Sequence, residues 1–583
     1  MTIASATPHA PKMTKPQLDS SLGGRADFLE PGGFFGFPFG MMYRVPGGIC
    51  DRSDLRRARR PSQRARWRAN FCEACWKSHF NYSSYCRRIV VLTFTLSHPS
   101  LPAKPHEMDG RPRLNLLMLI IDDLRTDLGS YGRKWARTPA IDALSKSSVT
   151  FLQAHASVAN CAPSRASLLT GLRPDSHGVY DLQTHVRARH KRLKTLPQVF
   201  REHGYLTVSY GKIFHQFLDD SPSWSGQDEW ADNHTYRGLT GRAWSRAGGW
   251  THGWRYNQYM TAPNVARQEE TTRRRRHGDK VSVNGLVPPF EVGPDRPSSP
   301  YTDERLGTLA VRALRRLHEQ PRPWLLAVGF IRPHLPFNVP ARYWTGAEAA
   351  ARHAPTGTEA RAPTGLSELS ASHVRAGDGE LFDFALRPEM RIRRRLKPNS
   401  PEGLDLVRAY AAAVSFVDAQ VGRVLAALGT AARETSLIVL LSDHGYKLGH
   451  HGGWGKHTLL AADTHVPLLV AAPGVSPKRV QAPVELIDVF PTVLQLCGLP
   501  VPGTGGGASG AAAEGSGGGA SGAGEPPPLE GRSLVPLMRR RAPKRRIASA
   551  LAFSQWPVSE PERCMGYAVR TQVVAIDRHL MAT

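Results

Sequence analysis

Asp122-Asp123, Lys212 with His215, His334, and Asp443-His444 followed by Lys456 each stand just after a short apolar run. Cys161 and Arg165 lie one helical turn apart in Cys161-Ala-Pro-Ser-Arg165. Adjacent carboxylates invite a cation, lysine and arginine neutralise an anion, and histidine moves protons near neutral pH. Singly, each residue has a plainer reading: paired acids are often solvated loop residues, and a lone cysteine on a helix is usually a small buried hydrophobe. The weight lies in their joint placement.

The elements that must position them are legible. Residues 161–171 read as a helix, with Pro163 in the first turn, Leu168 and Leu169 facing inward and Gly171 as the stop. Cys161 then sits at the positive helix end beside Arg165, a place suited to an anion and to an activated side chain. Residues 114–121, 206–209, 324–330 and 436–441 are apolar runs of the length and character of strands buried on both faces. An open parallel sheet collects its ligand sites beyond the carboxyl ends of its strands, and each of these runs ends in carboxylate, lysine or histidine. Residues 466–470 predict another strand. One-sided apolar spacing predicts helices over 303–318 and 404–428, and 484–496 reads as a further helix. The expected fold is α/β, a mostly parallel central sheet sandwiched by helices.

The run Cys161-x-Pro-Ser-Arg165, continued by Ala-Ser-Leu-Leu-Thr-Gly171 and on through Leu-Arg-Pro-Asp-Ser-His-Gly178, resembles the signature of the sulfatases, formylglycine-dependent enzymes with an alkaline-phosphatase-like fold. The likeness is greatest to iduronate-2-sulfatase-like members. It covers residues 113–500 with interruptions, plus Phe553-Ser-Gln-Trp556 and Met565-Gly-Tyr567. The resemblance implies that Cys161 is oxidised to Cα-formylglycine by a formylglycine-generating enzyme. It also implies Ca²⁺ held by Asp122, Asp123, Asp443, His444 and an oxygen of the modified Cys161. Hard oxygen donors suit calcium, and zinc competes on ligand chemistry alone.

Catalytic roles implied by the resemblance fall to Cys161 as the nucleophile's source, Arg165 as its positioner, and Lys212 and Lys456 as neutralisers of sulfate oxygens. His334, with Lys456, protonates the leaving oxygen, and His215 is the base that frees the bound sulfate. The implied activity is hydrolysis of sulfate monoesters, with a 2-O-sulfated uronic acid in a glycosaminoglycan or other sulfated polysaccharide as the substrate class. The implied location is the secretory pathway, lysosomal or extracellular. Tyr446, His450, His451 and Trp454 are candidates to line the sugar pocket, and aromatic and histidine residues in a glycine-rich loop serve equally as packing. Two alternatives stay open: a phosphate or phosphonate ester hydrolase of the same superfamily, and a non-catalytic binder of sulfated glycans.

With 583 residues the chain has room for one large domain and a smaller one. The expected organisation is a basic extension over 1–110 and a catalytic domain over 113–500 with insertions at 219–300 and 345–400. A Gly/Ala/Ser/Pro linker over 502–528 and a C-terminal subdomain over 529–583, expected to be incomplete, follow. The net charge is +27, with arginines concentrated outside the apolar blocks, in 52–68, 273–276 and 391–395, and no nucleic-acid-binding signature accompanies them. Nucleic acid is therefore not an expected partner. Of seven cysteines, four lie in the N-terminal region and Cys161, Cys497 and Cys564 are isolated, so no disulfide framework is expected. No run of 18 or more apolar residues occurs, and no membrane span is expected. Residues 87–103 imitate a secretory signal but lie far from the first residue.

Overall fold

Apolar runs with no polar face must be covered on both sides, and here they pair side by side at the centre of a sheet. The computed structural model describes residues 113–133, 135, 137–215, 218–226, 234–235, 259–276, 288–295, 301–347, 396, 399–450, 453–502, 526–539, 550–559, 564–571 and 575–581. The 1–110 extension up to residue 112 and most of the 345–400 insertion and of the 502–528 linker lie outside them. The strands are β1 (Asn115–Ile121), β2 (Val149–His155), β3 (Leu206–Gly211), β4 (Trp324–Phe330), β5 (Ser436–Ser442), β6 (His465–Ala471), β7 (Lys478–Val480) and β8 (Val484–Glu485). The helices used below are α1 (Cys161–Thr170), α2 (Leu196–Glu202), α3 (Ala262–Arg276), α4 (Thr302–His318), α5 (Pro401–Arg433) and α6 (Val489–Leu496).

The main sheet runs in the order β7-β2-β6-β5-β1-β4-β3, with a two-residue strand at His234–Thr235 beyond β3 and β8 also pairing with β2. The four strands expected to carry the site, β5, β1, β4 and β3, are consecutive neighbours and mutually parallel. Ile121 is in register with Phe330 on one side and Ser442 on the other. Asp122 and Asp443 therefore leave the sheet at one level. In this sheet β6 runs antiparallel to both its neighbours.

Side chains alternate across β1, as the strand period requires. Leu117, Leu119 and Ile121 face a core formed with α4 and α5, whereas Leu116, Met118 and Ile120 face one formed with α1, α2 and α6. Helices thus cover both sheet faces. Helix α5 begins at an N-cap, where the Ser400 hydroxyl accepts the Gly403 N–H at 3.2 Å, and its regular course is interrupted at Gly429. It is long and apolar enough to cross a membrane, but two thirds of that stretch is buried against the rest of the protein, and Leu406, Tyr410, Val414, Val417 and Val421 belong to the core.

Three local readings change. Residues 484–496 do not form one helix: Val484 and Glu485 pair with β2, and a reciprocal cap between Glu485 and Asp488 turns the chain into α6. Strand β2 went unread because Gln153 and His155 break its apolar run, and its neighbours in the sheet come from far along the chain. The 219–300 insertion contains a helix, α3, built on a charged sequence with no sustained apolar stripe. Nearer the C-terminus, β9 (Leu551–Ser559), β10 (Cys564–Thr571) and β11 (Ala575–Met581) form a separate antiparallel sheet.

Gly211, at the exit of β3, has φ of 79°, and a Cβ there would lie 2.1 Å from the Gly329 carbonyl oxygen. The missing side chain lets the backbone of Lys212 press against β4. Gly211→Ala is expected to cost roughly 2–4 kcal/mol in urea unfolding, more than Gly474→Ala, whose φ of 73° is similar but whose surroundings are open. Equal losses at the two positions would mean that the close approach to β4 carries no weight.

Candidate active site

The side chains singled out above converge at the carboxyl ends of β1, β3, β4 and β5. Arg165 is the hub. Wholly buried one turn into α1, it donates Nε to Asp443 Oδ2 at 2.8 Å and Nη2 to Asp122 Oδ1 at 3.2 Å. Its Nη1 donates to the carbonyls of Lys212 and Ile213. One guanidinium fork thus ties the ends of three strands to the helix that carries Cys161. The Lys212 ammonium completes the Asp122 carboxylate, donating to Oδ2 at 2.6 Å.

Cys161 stands at the first position of α1, whose N-cap residue Asn160 makes no side-chain cap. Its Sγ is 3.2 Å from Lys456 Nζ and 3.2 Å from His444 Nε2. Lys456 also donates to Asp123 Oδ1 at 2.8 Å. The His444 Nδ1 lies 3.0 Å from the Gly445 carbonyl, which can only accept, so Nδ1 carries the proton and Nε2 presents a lone pair toward Cys161. Asp122, Asp123, Cys161 and His444 each offer a ligand atom, and these atoms all lie within 4.8 Å of one another.

The fit to a cation rests on Asp123. Its Oδ2 is buried without a hydrogen-bond partner, and its backbone is held at φ of 62° by an N–H donated to Asp443 Oδ1 and a carbonyl accepting from Tyr410 Oη at 2.7 Å. A buried carboxylate oxygen with no donor, held in a conformation uncommon for aspartate, is what a cation would satisfy. Asp443 lies beside this group. Its Oδ2 is engaged by Arg165, its Oδ1 accepts the Asp123 and His444 N–H groups, and Oδ2 is 3.8 Å from His444 Nε2.

Burial opposes charge on both adjacent aspartates. At Asp122 the charges of Lys212, His334 and Arg165 overcome it and hold the carboxyl well below its usual range, whereas at Asp123 burial prevails over Lys456 and pushes the carboxyl well above. Burial, with Asp122 beside it, pushes the Cys161 thiol up to about 11. The unmodified residue is thus a thiol and not a thiolate nucleophile.

The two remaining histidines flank this group. His334 is buried in the loop after β4, its Nδ1–H donated to the Leu335 carbonyl at 2.7 Å and its own carbonyl accepting from Arg332. His215 follows Lys212, and its buried Nδ1 has no partner. Burial, and then the charge of Lys212, hold His215 well below the usual imidazole range, so it is neutral.

Several supporting residues escaped the sequence reading. Tyr410, read as part of the apolar stripe of α5, accepts the Arg125 N–H and donates to the Asp123 carbonyl. Ser442 bridges strand ends, its Oγ accepting the Leu124 N–H. Asp303 accepts the N–H groups of Ile331 and Arg332 and so anchors the loop of His334. A polar residue on an otherwise buried face was the available signal. Tyr446 and Trp454 are core residues and not pocket walls. Tyr446 stacks near Tyr410, and Trp454 donates to the Leu396 carbonyl. His450 meets the Arg125 guanidinium, and His451 lies outside the described residues.

The chain is similar in sequence and fold to known proteins. The sulfatase family model matches residues 114–499. Iduronate 2-sulfatase of Mus musculus is 32% identical over 428 residues, covering 67% of this chain and 69% of that protein. Iduronate 2-sulfatase of Homo sapiens is 31% identical over 425 residues, covering 67% and 70%. Among solved structures, a phosphonate monoester hydrolase from Silicibacter pomeroyi superposes with a TM-score of 0.53 at 22% identity, covering 80% of this chain and 89% of that one, a likeness of fold. With that match spanning every strand end that carries the site, the chain belongs to the sulfatase family and is a sulfuric ester hydrolase.

Proposed function

We propose that this sulfatase removes the 2-O-sulfate of an iduronate-like uronic acid in a glycosaminoglycan or related sulfated polysaccharide, using Cα-formylglycine at position 161 and Ca²⁺. The observation that carries the reaction is the setting of Cys161, at a helix start, 3.2 Å from both Lys456 and His444 and beside a carboxylate oxygen with no partner. The substrate class rests on the two iduronate 2-sulfatases at 31–32% identity.

Asp122, Asp123, Asp443 and His444 would hold the calcium, which supplies charge neutralisation at sulfate oxygens. Position 161, once converted to hydrated formylglycine, would offer one hydroxyl for attack on sulfur and a second whose deprotonation would expel the sulfate. Lys212 and Lys456 add positive charge where the ester oxygens bind, and Arg165 fixes the start of α1 against Asp122 and Asp443. His334, with Lys456, donates the proton that the leaving sugar oxygen needs. Neutral His215 takes the proton of the second hydroxyl.

In this reading residues 113–500 are the catalytic domain, interrupted at 219–300 and 345–400, the segment 502–528 is a linker, and residues 529–583 form the subdomain beyond it. A formylglycine-generating enzyme is the required partner, which places the chain in the secretory pathway with a lysosomal or extracellular destination. Peptide mass spectrometry across residue 161 after expression in a secretory host tests the modification, and unmodified cysteine throughout refutes it. Faster turnover of an aryl phosphonate than of an aryl sulfate would favour the phosphonate hydrolase reading.

Calcium at about 100 times its dissociation constant is expected to stabilise the fold by about 2.7 kcal/mol in thermal unfolding. Asp123→Asn should abolish that gain while leaving the apo protein folded. A gain that survives the substitution would move the ion away from Asp123.

A further inference from the structure

The catalytic reading uses Lys456 but leaves unexplained what keeps its loop in place. Upstream, Trp454 and Gly455 pair with Leu448 and Lys447, and Lys447 Nζ donates to the Lys456 carbonyl at 3.2 Å. Downstream, His457 has φ of 79°, a left-handed conformation that a side chain other than glycine adopts at a cost. Its ring lies flat on Trp556 of β9, with centroids 5.0 Å apart and planes 13° apart. Two residues further on, the Leu459 carbonyl accepts from Arg570 Nη2 of β10 at 2.6 Å. The same C-terminal sheet also reaches the segment leading into α1: the Gln555 N–H donates to the Ser157 carbonyl at 2.7 Å, and Ser554 Oγ donates to the Ala156 carbonyl at 2.7 Å.

We infer that the C-terminal sheet is a positioning clamp for the active site, in which Trp556, through its stack on His457, holds Lys456 against Asp123 and Cys161. Trp556 and His457 are positioning residues that act through Lys456. The stack offsets the unfavourable backbone of His457, and in return the backbone next to Lys456 has one setting. The loop belongs to the catalytic domain and the tryptophan to the piece beyond the linker, so the clamp makes the C-terminal piece part of the catalytic machinery. This inference rests on the reading that Lys456 serves the sulfate site.

His457→Gly separates positioning from packing, because glycine accepts the left-handed backbone freely while losing the stack. With 4-nitrophenyl sulfate as substrate, kcat of His457→Gly is expected to fall by about tenfold, the scale of a small misplacement, with KM within about twofold and the thermal midpoint unchanged or raised. Trp556→Ala should reproduce the loss in kcat and Trp556→Phe should restore most of it. In a Lys456→Ala background, His457→Gly should have no further effect, since the clamp acts through Lys456. An unchanged kcat in His457→Gly beside an impaired Lys456→Ala overturns the clamp and leaves the site reading intact. So does the same fold-loss in both backgrounds. Full activity of Lys456→Ala overturns the site reading, and the clamp with it.

Discussion

Cys161→Ser is expected to abolish multiple turnover of an aryl sulfate, with kcat lower by at least about 10³-fold, while the protein stays folded. Serine is close to isosteric with cysteine and would occupy the same buried first position of α1, beside Lys456 and His444. Positive charge, helix end and cation site all remain, so substrate binding and a first attack remain chemically reasonable. What a serine lacks is the second hydroxyl. Once sulfated, it has no group whose deprotonation can expel the sulfate, so neutral His215 has no proton to remove. The measurement is product released per enzyme molecule, together with the mass of the peptide across residue 161. No more than one equivalent of product, with or without a sulfated serine, agrees with the mechanism, and sustained turnover by this variant would falsify it.

Arg165→Lys carries the largest expected loss of stability, roughly 3–5 kcal/mol in equilibrium urea unfolding. Asp122 and Asp443 are both buried and both paired with this one guanidinium, which also serves two carbonyls of the Lys212 turn. A lysine brings the same formal charge but a single ammonium, which cannot reach acceptors arriving from three strand ends. One carboxylate is then left buried with fewer donors, and such an uncompensated charge costs more than the ion pair was worth. Calcium should recover part of the loss if the cation and Arg165 share the burden of the same carboxylates. Native-like stability in Arg165→Lys would show that Asp122 and Asp443 are held by something other than the fork.

How much of the site was legible follows from the period of each element. The runs ending at Asp122, Lys212, His334 and Asp443 read as strands because burial on both faces demands continuous apolar sequence, and each appears in the sheet within a residue or two of its expected bounds. Helix α1 was equally plain: Gly171 takes the left-handed conformation expected of its stop. Strand β2 was not legible, nor was the short strand β8, since both depend on partners distant in the chain. Tyr446 and Trp454, open in sequence to either pocket lining or packing, prove to be packing residues. An aromatic residue in a glycine-rich loop looks alike in sequence whether it meets a ligand or the underside of α5.

The sequence by itself determined that acids, lysines and histidines stand at strand ends, that Cys161 opens a helix, and which family pattern these residues follow. Local spacing and composition suffice for that, because each statement concerns a few neighbouring residues. Only the tertiary structure decided that β5, β1, β4 and β3 lie side by side, that Arg165 serves both Asp122 and Asp443, and that Trp556 reaches back to the loop of Lys456. Those outcomes depend on sheet order and on packing between residues hundreds of positions apart, where no local periodicity records which partner a side chain will meet.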